Sequence, residues 1–455
     1  MDRSRRRFLQ MAAAGLLPLA APLSGQSKKG MLVRSARPED LETPLEGFGQ
    51  WITPVDQFFV RSHHLVPTVE AAGWKLRIEG AVANPLTLSL AELRQMPRTE
   101  LVGVLECAGN GRGFYEPHMP GVQWQFGAVG NARWAGVRLA DVLRKTGVKD
   151  TAVEILFDGA DTPPGDMPKF QRGIPTKKAL DGNTLLAYEM NGRPLAPQHG
   201  FPLRVIAPGW AGDSWVKWLT RIEAREKPFE GFWMTTAYRH PDHPVTPGAA
   251  VDSKQMEPVT ALRVKSVIAS PPDGFFLAPA PVRIHGTAWS GEAPVEAVEV
   301  STDFGRSWKE AALGRDEAPF AWRLWDFPWT PPREGYYVVM ARARDASGAV
   351  QPLAEEWNPS GYLWNVVQQV GVTISSAPPD VAVMGRKINA RVPMPAPASA
   401  KAACLVCHDG DIIQGQKLTP PQWEKEMDKM TRWGARIKPT DREQILNWLV
   451  QFGPH

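Results

Sequence analysis

One pentapeptide near the C-terminus, Cys404-Leu405-Val406-Cys407-His408, restricts the last part of this 455-residue chain more than any other feature. Two thiols and an imidazole at Cys-x-x-Cys-His spacing are the attachment signature of a c-type haem. The cysteines form thioether links and the histidine ligates iron from one face. Residues 399–455 are therefore expected to form a small all-α cytochrome c domain, with haem c attached at Cys404 and Cys407 and ligated by His408. A reduced cysteine pair or a zinc half-site is the competing reading of the same residues. Thr419-Pro420-Pro421-Gln422 resembles a capping box with proline at the first helical position. Thr440-Asp441-Arg442-Glu443 reads as a second box, opening a helix that presents Ile445, Trp448 and Leu449. Between them Trp423, Met427 and Met430 share one helical face, so periodicity leaves both methionines open as the second axial ligand.

The other end of the chain carries an address. Ser4-Arg5-Arg6-Arg7-Phe8-Leu9-Gln10 is a twin-arginine motif, followed by an apolar stretch from Met11 to Leu23. That stretch is shorter than the roughly 20 apolar residues a bilayer span needs. Residues 1–25 read as a twin-arginine signal peptide, with cleavage between Ala21 and Gln26. This route exports folded proteins, and haem c is attached on the far side of the membrane, so both signals point to the periplasm. Arg3, Arg5, Arg6 and Arg7 supply most of the formal net charge of +4, which is therefore no nucleic-acid signal. No later segment reads as transmembrane, and a soluble periplasmic protein without a membrane anchor is expected.

With Cys404 and Cys407 committed to haem, Cys107 has no intrachain partner. A free thiol in an oxidising compartment is a liability unless something, such as a metal, caps it. Leu105-Glu106-Cys107-Ala108-Gly109-Asn110-Gly111-Arg112 closes a predicted strand (Val102–Leu105) and enters a Gly-rich loop. Small neighbours let bulky groups approach the sulfur, and Arg112 favours a thiolate. From the residues alone, a metal-bound Cys107 and a buried structural thiol both stand.

Between these landmarks the texture changes once. Residues 31–247 mix short strands (Ala152–Phe157, Leu203–Ile206) with helical stretches such as Leu139–Leu143, an α+β pattern. Residues 258–373 alternate apolar and polar positions in Pro281–Ala288, Val295–Val300 and Gly335–Ala343, with a turn at Asp303-Phe304-Gly305. That reads as an immunoglobulin-like β-sandwich. Residues 375–398 are a Pro/Ala-rich, extended linker, and no internal repeats occur.

The loop at Cys107 resembles the molybdenum-ligating cysteine loop of the sulfite oxidase family, whose pattern is Cys-(Ala/Ser)-Gly-Asn. Other segments resemble that family in order across about residues 45–372. Phe59-Val60-Arg61-Ser62-His63 is similar to its pterin-binding segment, whose arginine lines the substrate pocket. Leu186-Ala187-Tyr188-Glu189-Met190-Asn191-Gly192 resembles the stretch carrying the active-site tyrosine. His199-Gly200-Phe201-Pro202-Leu203-Arg204 and Trp215-Val216-Lys217-Trp218 resemble pterin-phosphate segments, and Asp161 sits where an acidic pterin contact is expected. Ala321–Trp325 lies in a stretch resembling the dimerisation domain. Vertebrate members supply a further pocket arginine from the end of the sandwich; here Trp364–Gln369 has none. The run Met430–Ala435 resembles the ligand-bearing segment of small cytochromes that partner molybdenum enzymes, which points to Met430 over Met427.

The resemblance implies a sulfite-oxidase-type molybdopterin domain with molybdenum held by Cys107 and a single molybdopterin. It also implies a pocket in which Arg61 and Arg112 pair with a small sulfur oxyanion. Tyr188 would donate a hydrogen bond and Trp124 would wall the pocket. Phe59, His63, Asp161, His199, Arg204, Trp215 and Lys217 would hold the pterin. The expected function is a homodimeric sulfite dehydrogenase that passes electrons through its own haem c to a soluble cytochrome c. The alternatives are a sulfane-type dehydrogenase acting on protein-bound sulfur, a non-catalytic haem electron-transfer protein, and a repair reductase, against which the fused haem argues.

Overall fold

The computed structural model describes residues 30–377 and 394–453. The twin-arginine segment and most of the Pro/Ala-rich stretch lie outside them. Two five-stranded sheets build the first domain. One runs in spatial order Leu86–Ser89, Lys75–Gly80, Leu219–Arg225, Glu154–Gly159, Gln171–Pro175, with one parallel pair, Lys75–Gly80 against Leu219–Arg225. The other runs Arg193–Pro194, Leu185–Met190, Val129–Arg138, Arg98–Glu106, and Arg204–Ile206 joins Leu185–Met190. The strand expected at Val102–Leu105 is longer, Arg98–Glu106, and pairs along its whole length with Val129–Arg138. The helix expected at Leu139–Leu143 extends to Thr146 and buries Leu139, Val142 and Leu143 on one side.

The alternating segments of the second domain form two facing sheets. One orders Lys265–Ser270, Val282–Trp289, Arg323–Trp329, Ala312–Leu313; the other Phe275–Leu277, Gln368–Ile374, Gly335–Asp345, Val295–Ser301, Lys309–Glu310. Their inward residues, among them Ile284, Val298, Trp325, Val339 and Val372, make one apolar core. Phe275–Leu277 pairs parallel with the last strand, which simple hairpin spacing does not foretell. A larger core joins the domains: Val267, Trp289 and Trp322 of the sandwich pack with Phe48, Val104 and Ala108 of the first domain. Trp289 and Trp322 are fully buried there.

Residues 394–453 contain the helices Ala398–Ala403, Gly410–Gln414, Pro420–Arg432 and Arg442–Leu449 around Ala400, Leu418, Trp423, Met427, Ile445 and Trp448. The Thr419–Gln422 capping box forms, with Thr419 N donating to Gln422 Oε1 at 2.9 Å. The second expected box does not. A 3-10 turn at Pro439–Asp441 makes Asp441 the N-cap, with no side-chain cap bond, and the Thr440 hydroxyl turns to the Asp441 carboxylate instead. Its helix still buries Ile445, Trp448 and Leu449. Among the described residues no helix is long and apolar enough to cross a membrane.

This C-terminal unit sits against the first domain by gripping its main chain. Gln416 Oε1 accepts from Gly121 N at 2.9 Å, and its Nε2 donates to Gly121 O at 3.0 Å. Gln422 Nε2 donates to His118 O at 2.8 Å. The Asp409 carboxylate accepts from Arg37 N at 2.8 Å and also from Ala36 N. Asp166 N donates to Trp433 O at 3.1 Å, while the Trp433 ring packs on Phe232 and Trp233.

Candidate active site

Successive side chains of a strand point to opposite faces. At the end of Arg98–Glu106 this sends Glu106 towards the sandwich, while Leu105 and Cys107 open onto a cavity of about 690 Å³, part of it open to solvent. The cavity draws together Phe59, Arg61, His63, Asp161, His199, Arg204, Trp215 and Lys217, so nine of the expected residues, Cys107 included, share one wall system. Loops following strands supply most of them, which is where a rigid scaffold usually carries chemistry.

Arg61 is held by Asp40, Nη1 to Oδ1 3.2 Å, and Ser62 N donates to the same oxygen at 3.1 Å. Burial pushes the Asp40 carboxyl up to about 6 against the opposing pull of Arg61. Burial works against the Arg61 charge, but Asp40, Tyr238 and Cys107 together oppose it and the guanidinium is held above its ordinary range. The His63 ring stacks on Phe170 at 4.2 Å, and its Nε2 lies 2.6 Å from the Tyr238 hydroxyl. Burial first, then Arg61, holds His63 well below its ordinary pKa, so the imidazole is neutral. Lys217 Nζ donates to Arg61 O, Gln198 O and Ser62 Oγ at 2.8, 2.9 and 3.0 Å, and burial lowers it to about 7. Arg204 donates to His199 O and Trp215 O, both at 3.0 Å. Burial alone lowers it to about 9, and its Nε is buried without a hydrogen-bond partner. Burial also raises the Cys107 thiol, with Arg61 opposing.

Three expected pocket residues are not at the cavity wall. Tyr188 belongs to Leu185–Met190, whose pleat turns its ring into the main core, 5.4 Å from the Arg94 guanidinium. Trp124 is fully buried behind Phe59, which it meets edge-on. Arg112 lies beside the Cys107 loop, its guanidinium 4.9 Å from the Tyr362 ring and within 3.4 Å of Val122 O and Ser360 O. The cavity tyrosine is Tyr238, brought in by the helix Phe232–Thr235 through sequence that offers no motif. His64 bonds Asp161 (Nδ1 to Oδ2, 2.8 Å), and Asp213 lines the cavity 2.5 Å from Arg172. The histidine pair His63-His64 was the one available sign of the first; only the fold reveals the second.

In the C-terminal unit Cys404 is half-buried and its thiol is raised to about 11 by burial, while Cys407 is exposed. His408 is lowered by burial and its Nδ1 is buried without a partner. Met427 is buried in the unit's core and Met430 only half-buried.

Residues 63–233 match the oxidoreductase molybdopterin binding domain, and residues 256–375 match the Mo-co oxidoreductase dimerisation domain. Sulfite oxidase of Gallus gallus is 36% identical over 361 residues, covering 75% of this chain and 78% of that protein. The chain belongs to the sulfite oxidase family. Mitochondrial sulfite oxidase of Drosophila melanogaster is also 36% identical, over 78% of this chain; the match spans 66% of the fly protein. Among solved structures, the sulfane dehydrogenase SoxCD from Paracoccus pantotrophus superposes with a TM-score of 0.67 at 27% identity, covering 80% of this chain and 95% of that one.

The cavity fits the molybdopterin that this family's domain binds. Arg204 is a buried cation and Lys217 a half-buried one, both with pKa values depressed by burial and Arg204 with an orphaned Nε, as expected of a site built for an anion such as a pterin phosphate. Cys107 opens onto the same cavity and offers the soft donor that molybdenum takes.

Proposed function

We propose that this sulfite oxidase family member is a periplasmic sulfite dehydrogenase that passes electrons from a molybdenum–molybdopterin centre to its own haem c, and from there to a soluble cytochrome c. The observation that carries the reading is the single cavity shared by Cys107, Arg61 and Tyr238, with the cations Arg204 and Lys217 on its wall. When bound, the molybdenum–pterin group supplies two-electron oxygen-atom transfer to a sulfur lone pair. Cys107 would hold the metal; Arg204, Lys217 and His199 would hold the pterin phosphate.

Arg61 then has one task, to fix a small dianion, and the Asp40 contact freezes its fork for charge-assisted bonding. Neutral His63, in its Nε2–H form, donates to the Tyr238 oxygen and leaves the phenol proton free for a substrate oxygen. Burial holds that phenol well above its ordinary pKa, so it stays a donor at neutral pH. Phe59, Phe170 and Trp215 keep the cavity wall apolar between these groups.

Cys404, Cys407 and His408 make the donor set of a c-type haem, and the orphaned His408 Nδ1 is suited to it. Met430 is the better second ligand, because Met427 already fills the helical unit's core. The seating of this unit on Gly121, Asp166 and Trp233 supports electron transfer from the cavity, whose lining includes Asp161 and Phe170 on either side of Asp166. Fusion also keeps the acceptor at high local concentration. A sulfane-type activity is the second reading, favoured by the superposition on a sulfane dehydrogenase.

The test is an anaerobic optical spectrum of molybdenum-loaded protein before and after sulfite. Rapid appearance of reduced haem c bands is expected. If haem stays oxidised yet dithionite reduces it, sulfite is the wrong substrate; if no haem is present, the electron route is wrong.

A further inference from the structure

The strand that delivers Cys107 is backed at alternate positions by the other domain. Val104 N donates to Phe320 O at 2.8 Å, and Leu363 N donates to Ala108 O at 2.9 Å. Between them stands Glu106, whose carboxylate is taken up almost wholly by the sandwich. Lys265 Nζ lies 2.5 Å from its Oε1, and Trp289 Nε1 donates to its Oε2 at 2.7 Å. All three residues are buried, at 3, 5 and 0% exposure for Glu106, Lys265 and Trp289, so this is a desolvated pair in which each partner is costly alone. The same Oε1 accepts from Asn110 Nδ2 at 2.9 Å. Asn110 in turn closes the thiol loop: its N donates to Cys107 O at 2.9 Å, and its Oδ1 accepts from Ala128 N at 3.0 Å. Cys107 N donates to Ala128 O at 2.9 Å, so two of these bonds end on the backbone of the thiol residue itself.

We infer that Lys265, acting with Trp289 through Glu106 and Asn110, is a positioning residue by which the sandwich domain sets the placement of the Cys107 sulfur at the cavity. Nothing in this chain of contacts touches substrate: neither Lys265 nor Trp289 lines the cavity. Loss of the ammonium leaves Glu106 as a buried, half-paired anion one residue from Cys107. Its carboxylate then turns, and the Asn110 bond that shapes the loop goes with it. A shift of the sulfur changes the chemical step while leaving Arg61 and Tyr238, which stand on other segments, in place.

The inference rests on Cys107 being the molybdenum ligand of the proposed function. Full-length, molybdopterin-loaded Lys265→Met and Trp289→Phe proteins are compared with wild type by the electron paramagnetic resonance of the molybdenum after one-electron chemical reduction, and by sulfite kinetics. Lys265→Met is expected to shift the g-values and lower kcat about tenfold, with KM held within about twofold. Trp289→Phe, which removes a neutral donor, shifts the signal the same way by less, and decides the matter if Lys265→Met does not accumulate. Wild-type g-values in both variants, with only a lower melting temperature, would overturn the proposal. Absence of sulfite turnover in the wild type would instead count against the substrate, and the resonance comparison would still decide the role of Lys265.

Discussion

Arg112 is enclosed by glycines, and one of them isolates the packing from every other effect. A Cβ at Gly109 would stand 2.8 Å from the Arg112 Cζ, one at Gly121 2.5 Å from Nη1, and one at Gly361 3.0 Å from Cγ. Gly121 and Gly361 have φ of +119° and +63°, so alanine there adds backbone strain to crowding; Gly109 has no positive φ. Nor can the guanidinium swing away, since it is 7% exposed and lies over Tyr362. Crowding a closed site costs about 1–3 kcal/mol, and loss of the cation–ring contact costs about 1 kcal/mol more. The Gly109→Ala protein should therefore be destabilised by about 2–4 kcal/mol, a fall in melting temperature of several degrees. Arg112→Met removes the obstructing group, so the double variant should be less destabilised than the sum of the singles by about 1 kcal/mol or more. Calorimetric melts of the three variants and wild type make the cycle. A Gly109→Ala protein that melts like wild type, or strictly additive effects, would refute the account of Arg112 as a gripped residue.

Tyr238→Phe should lower sulfite kcat/KM by about tenfold through loss of one hydrogen bond to an anion, whereas Tyr188→Phe should leave steady-state kinetics unchanged because its ring faces the core. Sulfate, dianionic across the range, should bind the cofactor-free protein more weakly as pH rises through about 7, where Lys217 loses its proton, with titration calorimetry at pH 6 and 8 as the check. Arg172→Met leaves Asp213 buried without its cation and should cost about 3–5 kcal/mol when that carboxyl is charged. Because burial has already raised Asp213 to about 6, the loss in a thermal melt should be larger at pH 8 than at pH 5. Gln416→Ala with Gln422→Ala removes three bonds to the first domain; stopped-flow reduction of the proposed haem by sulfite should slow, while turnover with ferricyanide stays the same.

Much of the site was legible because its residues travel in short runs. Phe59–His63, His199–Arg204 and Trp215–Lys217 each bring two or more cavity residues on one loop, so recognising the run recovered the wall. Tyr188 failed for the opposite reason. Its run was right but a strand has two faces, and only the register of Leu185–Met190 with Val129–Arg138 tells which one looks into the core. Tyr238, Asp213 and Asp40 were unreadable because their partners, His63, Arg172 and Arg61, are 175, 41 and 21 residues away. The sandwich showed itself through alternation, but its parallel edge strand Phe275–Leu277 closes against a segment some hundred residues later, beyond any local pattern. At the C-terminus, Thr419-Pro420 announced its helix, while Thr440 lost its cap to a proline-initiated turn one residue earlier.

The C-terminal unit holds its neighbour largely by peptide groups at Gly121, His118, Ala36, Arg37 and Asp166, with the Arg37 guanidinium, the Ser35 hydroxyl and the Phe232 and Trp233 rings as the side-chain exceptions. A contact written in backbone shape is indifferent to most substitutions on the side that is gripped. The catalytic surface can therefore drift in composition, or be recoloured by design, while the tail keeps its seat. By the same logic the tail is portable, and should take its place on any related catalytic domain whose loops trace the same path.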